Sequence, residues 1–153
     1  MARQLEAGDA APNFSLPAHG GEEWELERAL ERGPVVLFFY PRDDSPVCTK
    51  EVCAFRDSHE DFVGRGAEVV GISRDPVDAH RRFAGRHELP FTLLSDRGGR
   101  VRELFGVKKT LGLLDGRVTF VIDRAGKIRR TFASALNAQK HVDEALKTVR
   151  ELG

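Results

Sequence analysis

Only two cysteines occur in the chain, Cys48 and Cys53, and there is no net charge at neutral pH, Lys+Arg and Asp+Glu both standing at 24. The charges are evenly mixed. No basic patch is offered to nucleic acid, and no acidic tail favours disorder. Long hydrophobic runs are missing too. The longest, Val35-Val-Leu-Phe-Phe-Tyr40, falls far short of the roughly 20 residues needed to cross a bilayer. The opening residues Met1-Ala-Arg-Gln-Leu-Glu-Ala-Gly-Asp9 lack the apolar stretch of a secretory signal. A cytoplasmic protein with no nucleic-acid or membrane partner is therefore expected. Internal repeats and linkers are also absent. The 153 residues are expected to form one domain, residues 1–153, around a single core.

In a reducing compartment, two close cysteines point to catalysis or metal binding before they point to a structural staple. His19, His59, His80, His87 and His141 form no close pair along the sequence, and C-x₄-C has no second half. Neither a zinc site nor any other cofactor is expected. Gly20-Gly21 and Gly98-Gly99 read as loop punctuation rather than phosphate cradles.

Strands and helices alternate. Phe14 to Pro17 and Glu22 to Glu27 read as short extended pieces, the second followed by a short helix to Glu31. Gly33-Pro34 opens a buried strand over Val35–Tyr40. A helix is predicted from Pro46 to Val63, with Val47, Phe55, His59 and Phe62 along one face. Ala67–Ser73 is a second buried strand, Val77–His87 a helix, Phe91–Leu94 a strand and Arg100–Phe105 a helix closed by Gly106. Arg117–Asp123 and Lys127–Phe132 flank the turn Arg124-Ala-Gly126 as a hairpin. Ala138–Leu152 is an amphipathic helix with Asn137 as N-cap. Phe38, Phe39, Phe55, Phe62, Phe83, Phe120 and Phe132 are expected in the core. The pattern is α/β, with parallel crossovers early and an antiparallel hairpin late. It resembles the thioredoxin-like fold: a central mixed sheet with helices on both faces, here with an N-terminal extension.

Cys48 stands where the first buried strand gives way, through a polar turn, to the long helix. At a helix start, backbone N–H groups and the helix dipole favour a thiolate. Cys53 follows five residues later. On one regular helix the rise between them is about 7.5 Å and the rotation about 140°, leaving the Cα atoms about 8.6 Å apart. A disulfide needs roughly 4.4–6.8 Å. If the pair cycles, the first turns of the helix must melt each time the bridge closes.

The spacing Pro41-x₃-Ser45-x₂-Cys48 resembles the peroxidatic motif of peroxiredoxins. Phe39-Tyr40-Pro41, Cys48-Thr49, Glu51, Cys53 and Phe55-Arg56-Asp57 are similar to the peroxiredoxin Q branch, also called bacterioferritin comigratory protein. The likeness extends to Ala11-Pro-Asn-Phe-Ser-Leu16, Pro90–Asp96 and Arg117–Asp123. Two positions depart from the pattern: Ser45 where threonine is commoner, and Val47 where glycine is frequent.

The resemblance implies a thiol-dependent, antioxidant peroxidase. Cys48 attacks a peroxide and becomes a sulfenic acid. Cys53 condenses with it to an intramolecular disulfide, which a thioredoxin or glutaredoxin reduces. Ser45, Arg117 and the amides at the helix start are the implied donors to peroxide. Pro41 shields the thiolate, and Glu51 orients the arginine. Ionising a free thiol completely gains only about 30-fold at neutral pH, so positioned donors must supply the rest of any fast reaction. Without the resemblance, Arg117 reads as a solvent charge and Ser45-Pro46 as N-cap and first helical residue, a role compatible with a hydroxyl that also faces the thiolate. Two small core residues are the weaker alternative for cysteines placed at a helix start. Two other activities compete with the peroxidase, protein disulfide exchange and a redox sensor. A monomer is expected, since no third cysteine offers an intersubunit bridge.

Overall fold

A computed structural model describes residues 3–108 and 116–152. A five-stranded sheet runs in the order β5-β4-β3-β6-β7. Its strands are β3 (Val35–Phe39), β4 (Glu68–Ser73), β5 (Thr92–Ser95), β6 (Val118–Ile122) and β7 (Ile128–Ala133). β3 pairs in parallel with β4, and β4 with β5, while β6 and β7 are antiparallel additions. The early-parallel, late-antiparallel order is the one expected. A two-stranded antiparallel sheet of β1 (Ser15–Pro17) and β2 (Glu23–Glu25) forms the N-terminal extension.

β3 reads as an unbroken apolar run because both faces of the sheet are covered. Val35, Leu37 and Phe39 enter one core, with α1 (Leu26–Leu30), α5 (Arg100–Leu104) and the N-terminal extension. Val36, Phe38 and Tyr40 enter the other, beneath α2 (Pro46–Asp57), α3 (His59–Val63), α4 (Val77–Arg86) and α6 (Ala138–Glu151). Helices thus pack on both faces, in a thioredoxin-like arrangement. Gly106, at φ 71°, closes α5 as expected, and a Cβ there would lie 2.0 Å from the Arg3 carbonyl oxygen. Asn137 caps α6 by accepting from the Lys140 amide at 3.1 Å.

Three expectations need correction. The helix expected over Pro46–Val63 breaks at Ser58, which takes φ −103° and ψ 6°, caps α2 and precedes α3. Serine is a weak interior residue for a helix because its hydroxyl competes for the backbone. The buried face of α2 is Cys48, Glu51, Val52 and Phe55, whereas Val47 and His59 are only half-buried. Phe132 is also half-buried: it lies on β7 at the sheet edge, with its ring edge-on to His141 at 4.9 Å. The other six phenylalanines expected inside are fully buried.

Candidate active site

Sheet register assembles the site. β6 runs antiparallel to β3 with Val118 opposite Phe39. Arg117, one residue before Val118, therefore lies level with Tyr40, one residue after Phe39, where the chain leaves the sheet toward Cys48. Pro46 occupies the first helical position of α2, so Cys48 stands third, in the first turn, whose N–H groups have no intrahelical acceptor. Cys48 is fully buried. Arg117 donates from Nη2 to Cys48 Sγ at 3.3 Å, from Nη1 to Glu51 Oε1 at 2.7 Å, and from Nε to the Ala135 carbonyl at 3.2 Å. One guanidinium thus joins a sulfur, a carboxylate and a backbone carbonyl, its plane fixed on three sides.

Glu51 has no exposed surface. Burial raises its pKa to about 7, although Arg117 pulls it down, and the same carboxylate holds Arg117 above the ordinary arginine value despite that residue's own desolvation. Glu51 Oε2 makes no hydrogen bond and faces His141 Nδ1 at 3.4 Å. His141 is buried on α6, with Nδ1 on Thr119 Oγ1 at 2.8 Å and Nε2 on the Ser134 carbonyl at 2.9 Å. Burial lowers its pKa to about 4. It is therefore neutral near pH 7, with its proton on Nε2, the nitrogen that faces the carbonyl.

Pro41 is half-buried at the head of the β3–α2 loop. Ser45 occupies the N-cap position but makes no side-chain cap, its hydroxyl donating instead to the Arg42 carbonyl at 3.3 Å. The N-cap reading of Ser45 is thus right for the backbone and wrong for the hydroxyl. Cys53 lies half-buried on the same unbroken helix as Cys48, and both thiols are free.

Several residues around the site were not singled out by sequence. Arg102, buried on α5, donates from Nη1 to the Gly116 carbonyl at 2.8 Å and from Nη2 to the Tyr40 carbonyl at 2.7 Å. Asp43 anchors the loop. Its Oδ1 accepts from Tyr40 Oη at 2.7 Å, its Oδ2 lies 2.7 Å from His80 Nδ1, and its amide donates to Asp75 Oδ2 at 2.8 Å. Burial pushes the Tyr40 hydroxyl well above the usual phenol range, so it stays a donor. His80 Nε2 meets the Leu94 carbonyl at 2.9 Å. Asp43, Asp75 and His80 bring ligand atoms within 4.8 Å of one another, but the protein's own hydrogen bonds already occupy those atoms. For Arg102 and His80 the available signal was a polar residue on the buried face of a helix, which needs an internal partner.

Comparison with known proteins agrees with this geometry. A model of the AhpC/TSA family matches residues 7–131. The chloroplastic peroxiredoxin Q of Populus jackii is 44% identical over 150 residues, covering 97% of this chain and 70% of the relative. The crystal structure of the peroxidoxin BcpB from Mycobacterium tuberculosis superposes with a TM-score of 0.92 at 42% identity, covering 98% of this chain and 99% of the other. The bacterioferritin comigratory protein of Xanthomonas campestris, described for its alkyl peroxide reduction activity, gives a TM-score of 0.83 at 28% identity over 91% of each chain. Among the described residues no helix is long and apolar enough to cross a membrane. By the extent of the family match and of these likenesses, the chain belongs to the AhpC/TSA family, in its peroxiredoxin Q branch of thiol-dependent peroxidases.

Proposed function

We propose that the chain reduces hydrogen peroxide and organic hydroperoxides through Cys48, with Cys53 as the resolving thiol and a thioredoxin-like or glutaredoxin-like dithiol as the electron source. The observation that carries the reading is the buried Cys48 sulfur 3.3 Å from an Arg117 guanidinium that Glu51 and a backbone carbonyl hold in place. A peroxide oxygen beside Cys48 meets the same cation, which stabilises charge moving onto the departing oxygen. The sulfur attacks the near oxygen and keeps it as a Cys48 sulfenic acid, while the O–O bond breaks and the far oxygen takes up a proton and leaves as water or alcohol. Ser45 joins the donors when its hydroxyl turns from Arg42 to the peroxide. Pro41 shields the sulfur, and Glu51 positions Arg117.

Resolution by Cys53 joins the two sulfurs with loss of water, and the external dithiol then reduces the bridge. Both thiols ride on an intact α2, so its first turns unwind before the bond forms. Two free thiols and no third cysteine suit a monomer in a reducing compartment. We place the protein in the cytoplasm, although plant relatives are named for the chloroplast.

Rapid mixing of the reduced protein with one equivalent of hydrogen peroxide, followed by intact mass after acid quench, tests the reading. The expected product is two hydrogens lighter. Cys48→Ser should consume no peroxide beyond background, and Cys53→Ser should turn over once and stall as the sulfenic acid. Equal multiple turnover by both variants with a thioredoxin donor would refute the scheme.

A further inference from the structure

Cys53 is not packed against neutral side chains alone. Its sulfur lies 3.9 Å from His87 Nδ1, at the outer limit of sulfur hydrogen bonding, and His87 occupies the C-cap position of α4. The His87 ring is set by an edge-on contact with Phe83, centroids 4.9 Å apart. Its backbone is held at both ends: the amide donates to the Phe83 carbonyl at 3.1 Å, and the carbonyl accepts from Arg56 Nη1 at 2.9 Å. Arg56 lies three residues after Cys53 on α2 and interacts electrostatically with that thiol. The thiol therefore has an imidazole nitrogen on one side and a guanidinium nearby, with α2 and α4 pinned together between them.

We propose that His87 is the proton acceptor for Cys53 in the resolving step, a catalytic role distinct from the Arg117–Glu51 machinery around Cys48. The inference rests on the peroxidase reading above. In the acceptor tautomer His87 carries its proton on Nε2 and offers the Nδ1 lone pair to the Cys53 S–H. The proton passes to Nδ1 and leaves a Cys53 thiolate, whose charge Arg56 balances. The thiolate attacks the Cys48 sulfenic sulfur. The S–S bond forms as the S–O bond breaks, and the departing hydroxide takes up a proton to become water. The Cys53 sulfur is oxidised, the sulfenic sulfur is reduced, and His87 is regenerated when its proton returns to the hydroxide or to solvent.

Geometry also divides the helix. Cys48 hangs on Arg117 at the N-terminal turn, whereas the segment bearing Cys53 is tied to α4 through Arg56. Unwinding the first turns carries Cys48 toward a Cys53 that stays with its base. Imidazole suits the task because it takes and returns a proton near neutrality. Arg56 beside the pair is itself engaged by Asp57 on α2, through a hydrogen bond from Nε at 3.0 Å, and by the charge of Glu88 beyond α4.

His87→Gln and His87→Gly test the proposal by two independent readouts. In single-turnover mixing, peroxide loss should keep its wild-type rate while disulfide formation slows about tenfold at pH 7. In a Cys48→Ser background, Cys53 alkylation by iodoacetamide at pH 7 should slow by a similar factor. Free imidazole should restore much of the rate to His87→Gly, which a purely structural role would not allow. Full-rate peroxide consumption with disulfide formation and alkylation both indifferent to His87 would overturn the proposal. A protein that consumes no peroxide, yet whose Cys53 alkylation still depends on His87, would refute the peroxidase reading and uphold the pair.

Discussion

Arg102 sends its two terminal amino groups to carbonyls on either side of the site, Tyr40 just ahead of the Cys48 loop and Gly116 just ahead of Arg117. It touches neither the sulfur nor a peroxide site, so its part is positioning. Without it two buried carbonyls lose their donors, at a cost of about 1–3 kcal/mol each, and the two segments lose their common brace. Arg102→Met should slow peroxide reduction about 10- to 100-fold, the range expected when reacting groups shift by about an ångström. Cys53 alkylation in the Cys48→Ser background should not change, because that thiol is held from α4. Arg102→Lys, able to reach one carbonyl, should recover part of the rate. Stopped-flow peroxide consumption decides the matter, and wild-type kinetics in Arg102→Met would remove the brace from the mechanism.

At the scale of elements, packing of α2 on the sheet depends on an absence. Gly71 of β4 lies opposite Phe38 of β3, and a Cβ there would come within 2.7 Å of Phe38 Cζ and 2.9 Å of Leu93 Cδ2. Phe38 stacks on Phe55 of α2 with centroids 4.4 Å apart. Gly71→Ala should therefore push Phe38 into α2 and destabilise the fold by about 1–3 kcal/mol, the usual cost of overpacking. Urea denaturation with an unchanged m-value would measure it; unaltered stability would mean that the ring pair yields freely. The same elements separate what the sequence disclosed from what it hid. Pro41, Ser45 and Cys48 lie within one short loop and turn, so their spacing could carry the resemblance to the peroxidatic motif, and Cys48 stood out besides by its place at a helix start. Arg117 was reached only through the resemblance of its strand, because the cause of its placement is the β3–β6 register. Arg102, Asp43, His80 and His141 draw partners from distant segments, which no local periodicity records. For Arg102, His80 and His141 the common mark was polarity on a buried helix face, as with His141 beside Val142 and Ala145, whereas Asp43, in the loop before α2, carried none. The break at Ser58 was hidden for the opposite reason: Phe55 and Phe62, seven residues apart, keep helical phase across it.

For the molecule as a whole, the buried pair beneath Arg117 couples folding to pH in two opposed ways. Burial raises Glu51 from 4.5 to about 7. Between those values the native state holds a proton that the unfolded chain has released. This contribution to stability is complete below about pH 4.5 and is lost as pH rises through about 7. Burial lowers His141 from 6.5 to about 4. Its contribution is complete above about pH 6.5 and is lost as pH falls through about 4. Displacements of this size are each worth about 3 kcal/mol. Between roughly pH 4.5 and 6.5 the two slopes cancel, so this pair leaves the stability of the native protein level across that window. Single substitutions should expose each slope. In Glu51→Gln the histidine acts alone, and stability should climb by about 3 kcal/mol from pH 4 to 6.5 relative to wild type. In His141→Gln the carboxyl acts alone, and stability should fall by a similar amount from pH 4.5 to 7. Loss of the Arg117 counter-charge lowers the whole Glu51→Gln curve, but the slope carries the information. Urea denaturation at intervals from pH 4 to 8 reads both variants against wild type. Three parallel curves would show that Glu51 and His141 titrate in the native state as they do in the unfolded chain. Opposite slopes would show that the carboxylate orienting Arg117 is kept ionised at a cost to the whole fold.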